Sequence, residues 1–106
     1  MMMVIDDILE LLAASSMTAS KPFLERVDAT LTDGYAHALQ LEAERRRIEV
    51  RIADVVAGLS DQTTHRHEPE LVELSERLIT ANADIASLRT LLTSLRDRRS
   101  ELRSAA

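Results

Sequence analysis

The chain has 106 residues and a formal net charge of −5, and 45% of its residues are hydrophobic but only 2% are aromatic. This length allows one domain at most, and the acidic balance argues against bulk electrostatic attraction to nucleic acid. The chain has no cysteine, which excludes disulfides, thiolate zinc sites and cysteine nucleophiles. Glycine and proline occur only twice each, so the composition favours long helices.

The N-terminal segment from Met3 to Ala14 is predicted to form a short amphipathic helix. Its apolar face consists of Ile5, Ile8, Leu9 and Leu12. A serine- and threonine-rich linker follows, up to Ser20. Acidic residues interrupt the apolar run and no basic residue precedes it, so we expect no secretory signal. No run reaches the ~20 apolar residues that span a bilayer, so we expect no membrane association and a cytoplasmic location.

A second helix is predicted over residues 21–58. Ser20 can cap it, Pro22 is tolerated in its first turn, and Gly58 is expected to end it in the left-handed conformation. A stripe with alternating spacings of three and four residues runs along this helix. Its positions are Leu24, Val27, Leu31, Gly34, Ala38, Leu41, Arg45, Ile48, Ile52, Val55 and Leu59.

Residues 59–68 are predicted to form a polar loop, and residues 69–104 a third helix. The stripe of this helix is Leu71, Leu74, Leu78, Ala81, Ile85, Leu88, Leu92, Leu95, Arg99 and Leu102. Two sustained heptad stripes indicate an antiparallel coiled coil. The predicted fold class is therefore all-α. Residues 1–20 form a short helix and linker, residues 21–106 form a two-helix coiled-coil hairpin, and the whole assembles into a helical bundle.

The two stripes match when the chain folds back on itself. Ile52 then lies opposite Leu74, and the small Gly34 lies opposite Leu92. One flank can pair opposite charges, with Asp28 and Glu42 on the second helix and Arg89, Arg96 and Arg103 on the third. The other flank places Arg51 near Arg77, a like-charge pair that another chain could answer.

The three histidines do not predict a catalytic or metal site. His65 and His67 alternate with Arg66 in the predicted loop, where Glu68 or Asp61 could complete a ligand set. Alternating loop residues rarely fix a coordination geometry, so a solvated turn is favoured and we expect no metal. His37 stands alone, without a neighbouring nucleophile or carboxylate. The chain also lacks a glycine-rich phosphate loop, so we expect neither a cofactor nor enzymatic activity.

Five arginines near the C-terminus form a candidate basic patch, made of Arg89, Arg96, Arg98, Arg99 and Arg103. One interpretation is contact with phosphate in a nucleotide or a nucleic acid. The favoured interpretation is that these cations lie near a helix C-terminus and pair with acidic residues opposite. Nucleic-acid binders usually add aromatic platforms or a strongly basic balance, and this chain has neither.

The third helix is similar at two positions to the ligand motif of the cyclic-di-GMP-responsive anti-sigma factors, which are helical hairpins. That motif reads Glu-x3-Ser-x2-Arg-x3-Gln-x3-Asp, and Arg89 and Asp97 stand at its Arg and Asp positions. The chain departs from the motif with Asn82, Ala86 and Thr93. The resemblance implies a regulator of transcription, but the departures put ligand binding in doubt, and we assign no family.

Apolar residues also lie off the two stripes, and something must cover them. They are Phe23, Tyr35, Leu39, Val50, Val56, Val72, Ile79 and Leu91. The favoured hypothesis is a non-enzymatic scaffold or adaptor that self-associates as a homodimer or binds another helical protein. The predicted interface is Ile5, Ile8, Leu9, Leu12, Tyr35, Leu39, Ile79 and Leu91, with the N-terminal helix docked on a second copy or a partner. The alternative is a small regulator that captures a helix of a transcription or secretion component.

Overall fold

A computed structural model describes residues 2–14, 20–58 and 68–105. It contains three α-helices, α1 (Met2–Ala13), α2 (Lys21–Gly58) and α3 (Glu68–Ala105), and no strand within those ranges. α2 and α3 pack closely as a helical hairpin, and α1 is the short N-terminal helix. The all-α hairpin with an added N-terminal helix is thus confirmed.

The helix ends follow the capping residues. At the start of α2, the Phe23 amide donates a hydrogen bond to Ser20 Oγ over 3.4 Å, and the Leu24 amide donates to the Ser20 carbonyl over 3.0 Å. This is the predicted N-cap. α2 ends at Gly58 as predicted, but neither glycine has a positive φ, so the expected left-handed termination is wrong.

The other boundaries are within one residue of the prediction. α1 begins and ends one residue earlier than expected, and α3 begins at Glu68 rather than Pro69. Of the predicted loop at 59–68, residues 59–67 lie outside the described residues, and His65, His67 and Asp61 are among them.

Both predicted stripes form the interior. Every described position of the two stripes is buried or half-buried, while the residues between them are largely exposed. Gly34 lies against Leu92, as the fold-back predicted: a Cβ built on Gly34 would lie 3.4 Å from Leu92 Cγ and closer still to its Cδ2. The absence of a side chain at Gly34 therefore lets the two helices approach there.

The chain divides into two compact units. Unit 1 comprises Met1–Leu39 and Ala86–Ala106, and unit 2 comprises Gln40–Ile85. Unit 1 therefore contains α1, the first part of α2 and the last part of α3. The described residues of unit 2 are the remaining parts of α2 and α3, which run antiparallel because Arg51 contacts Glu70 and Arg45 contacts Asn82.

Unit 1 contains the most completely buried side chains among the described residues. Six large side chains are almost wholly inaccessible to solvent, namely Ile8, Leu11, Val27, Leu88, Leu92 and Leu95. They come from all three helices, so α1 contributes two of them to a shared core. An ion pair between Arg26 and Glu10, at 3.6 Å, joins α2 to α1 at the surface.

Unit 2 has a thinner core. Its buried apolar residues are Leu41, Ile48, Val55, Leu74 and Ile85, of which Ile48, Val55 and Leu74 pack together as one cluster. The remaining apolar residues against this cluster, Ile52, Leu71, Leu78 and Ala81, are only partly buried. Two helices can enclose a narrow apolar seam but cannot surround it, because each helix has a neighbour on one side only.

Candidate functional site

The predicted interface residues of α1 are only partly available to a partner. Ile8 is fully buried in unit 1, Ile5 and Leu12 are half-buried, and Leu9 is 48% exposed. Ile8 is therefore covered by its own chain, and the expectation that the α1 face docks on another molecule stays a prediction. Ile8 and Leu11 are three residues apart and therefore share one face of α1, and both side chains are buried. The prediction overlooked Leu11, although its spacing from Ile8 indicates a shared face.

The predicted interface residues of the long helices are mostly exposed. Leu39 is 65% exposed, Ile79 69% and Tyr35 38%, whereas Leu91 is half-buried. Three further large apolar residues, Val50, Val56 and Val72, are each more than half exposed. The sequence analysis identified these valines as apolar residues that lie off the stripes, but it did not include them in the predicted interface.

Unit 2 carries four of the exposed large apolar side chains, Val50, Val56, Val72 and Ile79. On α2, a shallow and open groove lies on the outer surface and is lined by Ala43, Arg46, Arg47 and Val50. Of these four residues, two carry small or medium apolar side chains and two carry guanidinium groups. The outer surface of unit 2 thus combines a few exposed large apolar side chains with many charged ones.

The flanks of unit 2 carry charges that pair within the unit. Arg51 Nε donates to Glu70 Oε1 over 2.7 Å. The carboxylate of Glu70 therefore neutralises the charge of Arg51, which the sequence analysis placed near Arg77. Arg45 donates to Asn82 Oδ1 over 3.3 Å. Arg45 thus reaches past the small Ala81, as expected for a long side chain that keeps its charged end near water.

The candidate basic patch is not a uniform basic surface. Arg99 forms an ion pair with Asp28, and Arg98 lies 3.9 Å from Glu101. Both arginines are half-buried, whereas Arg89, Arg96 and Arg103 are exposed. The three exposed arginines are spaced by seven residues and share one line on α3, and Arg98 and Arg99 lie outside it. The predicted pairing of Asp28 with the exposed line is wrong, because the stripe residue Arg99 takes that position.

His37 is half-buried, and its Nε2 atom has no hydrogen-bond partner within the part of the chain that the structure describes. In the same ranges, no three His, Cys, Asp or Glu side chains lie close enough together to hold a metal ion. No helix within these ranges is both long enough and apolar enough to cross a membrane.

Comparison with family models, with curated proteins and with solved structures finds no match to this chain.

Proposed function

We propose that the chain is a non-enzymatic helical scaffold or adaptor that acts through self-association of its hairpin. The observation that carries this proposal is the set of large apolar side chains that stay exposed on unit 2, where Ile79 is 69% exposed and Val72 59% exposed. Apolar residues that recur along one side of a helix are candidates for coverage by another protein.

The thin core of unit 2 supports the same proposal. Its two helices bury a narrow seam that runs from Leu41 and Ile85 to Val55 and Leu74, and helix pairs of this size gain most of their stability from further packing. A second copy is the simplest source of that packing, because self-association needs no other gene product. The absence of cysteine fits the reducing conditions of the cytoplasm, where we place the protein.

Sedimentation analysis of the full chain at micromolar concentration tests this function. We expect a mass of two or more copies that falls on dilution. Ile79→Asp should weaken the association without loss of helical content, because it places a charge on the apolar surface.

Thr80→Asp is the matched control, since Thr80 is exposed beside Ile79 and the substitution adds the same charge. A monomer at every concentration would exclude self-association. Equal masses for Ile79→Asp and Thr80→Asp would exclude the apolar surface around Ile79 as the contact.

A further inference from the structure

We propose that the outer sides of α2 and α3 in unit 2 bind each other between two copies of this chain, in one defined antiparallel register. This inference deepens the proposed function and rests on it. It concerns two lines of exposed residues. The outer line of α2 is Ala43, Arg46, Val50 and Ala53, and the outer line of α3 is Val72, Glu76, Ile79 and Ala83.

Both lines have the spacing of a helix-packing face. Their members are three and four residues apart, which places each set along one side of its helix. At about 100° per residue, the centre of each line lies roughly 150° around the helix from the buried stripe. The two lines therefore point away from their own hairpin and cannot meet within one chain.

Each outer line contains a single charged residue, and the two charges are opposite. Arg46 is the only charge on the α2 line, and Glu76 is the only charge on the α3 line. Neither side chain forms an ion pair or a hydrogen bond among the described residues, although charged neighbours such as Arg51 and Glu70 do. Each line thus has one charge without a partner among its apolar members, and Arg47 lies beside the α2 line in the groove that Ala43, Arg46 and Val50 also line.

An antiparallel contact that pairs Arg46 with Glu76 also matches the remaining positions. Ala43 then lies opposite Ile79, and Val50 lies opposite Val72. The small alanine accommodates the large isoleucine, which is the most exposed of the large apolar residues at 69%. One contact thus covers Ile79, Val50 and Val72 and neutralises both charges.

The neighbouring registers are worse. A shift by one heptad in one direction places Arg46 opposite Pro69 and Glu76 opposite Leu39. A shift in the other direction places Arg46 opposite Ala83 and Glu76 opposite Ala53. Either shift leaves two charges against apolar groups, which is unfavourable unless the charges reach water. The charges therefore select the register, while the apolar residues provide the contact area.

The occupant that fits each line is thus a second copy. The contact joins α2 of one copy to α3 of another, so it is heterologous and leaves one outer line of each copy open. Association through these lines alone continues beyond a pair, into a ring or an extended array.

Charge reversal on the full-length protein tests the proposal by sedimentation over a concentration series. Arg46→Glu places a carboxylate against Glu76, and Glu76→Arg places a second guanidinium against Arg46. We expect each variant alone to associate about tenfold more weakly than the native chain, because like charges then face each other at the contact. An equimolar mixture of the two variants should recover the native association, since every contact between unlike copies again pairs opposite charges.

Arg77→Glu and Glu44→Arg are the matched controls, because both positions are exposed and lie off the outer lines. They should leave the association unchanged, and circular dichroism should show equal helical content for all variants. Native-like association of the single variants, or no recovery in the mixture, would overturn this register while self-association itself stands. A native chain that is monomeric at every concentration would instead overturn both the proposed function and this contact.

Discussion

The two units of this chain share the same α2 and α3 helices but differ in how completely they bury their apolar residues. Unit 1 has α1 as a third helix, and Ile8, Val27, Leu88 and Leu95 are fully buried there. Unit 2 has two helices, and its best-buried residue is Val55, at 2% exposure. The same heptad pattern therefore gives a complete core only where a third helix covers the seam.

The difference between the two units also accounts for where large apolar side chains are exposed. Seven large apolar side chains are exposed within residues 2–14, 20–58 and 68–105, and four of them belong to unit 2, although unit 2 is the shorter of the two. α1 is the segment that completes unit 1, and no other described segment does the same for unit 2. We infer that unit 2 is the part of the chain with a requirement for an outside partner.

The largest expected effect concerns the core of unit 1. Leu88→Ala should destabilise the folded chain by about 2–5 kcal/mol, because it leaves a cavity among fully buried side chains. Leu78→Ala in unit 2 is the comparison, and its half-buried side chain should cost clearly less. Chemical denaturation of both variants measures the difference. Equal losses would show that the two cores are equally complete.

The second-largest expected effect tests whether α1 completes the core of unit 1. Ile8→Ala should cost about 2–4 kcal/mol, since Ile8 is 0% exposed in unit 1. Leu9→Ala, one residue further along α1 at a position that is 48% exposed, is the control and should cost much less. A similar melting temperature for the two variants would mean that α1 does not dock through Ile8.

A smaller effect is expected at Gly34, where two terms oppose each other. Alanine is favoured over glycine in a helix by about 0.5–1 kcal/mol. The added Cβ, however, would meet the fully buried Leu92, and displacing a packed side chain typically costs about 1–3 kcal/mol. We expect Gly34→Ala to lower the free energy of unfolding slightly. A clear stabilisation would show that Leu92 moves aside freely.

The smallest effect concerns the ion pair on unit 2. Both side chains are substantially exposed, Arg51 at 56% and Glu70 at 34%, so solvent screens their attraction. A double-mutant cycle with Arg51→Ala and Glu70→Ala should give a coupling of about 0.2–1 kcal/mol. A coupling well above this range would mean that the pair holds the two helices of unit 2 together.

Most of the fold could be predicted from the sequence because helix periodicity and stripe burial are local consequences of residue spacing. The stripes, the Ser20 cap and the approach of Leu92 to Gly34 all follow from that spacing. The partner of Asp28 could not be predicted, since Arg99 and Arg96 both lie within reach of one flank. The docking of α1 depends on tertiary contacts of Ile8 and Leu11, which a linear pattern does not contain.

The exposed surface was predicted less well than the core. Leu39 and Ile79 were expected to be exposed interface residues and are exposed, but whether they bind anything stays a prediction. Ile8 was assigned to the same interface and is buried instead. An apolar residue off the main stripe has two ways to be covered, by its own chain or by another, and spacing alone does not separate them.

Amide hydrogen exchange over a dilution series is the most direct test of the difference between the units. Slowed exchange reports the free energy of local opening, and a bound partner raises it by mass action. We predict that amides of residues 40–58 and 68–85 gain protection as protein concentration rises, while amides in the rest of α1, α2 and α3 change less. Protection that is independent of concentration in unit 2, or a gain confined to unit 1, would contradict the claim that unit 2 is completed by a second copy.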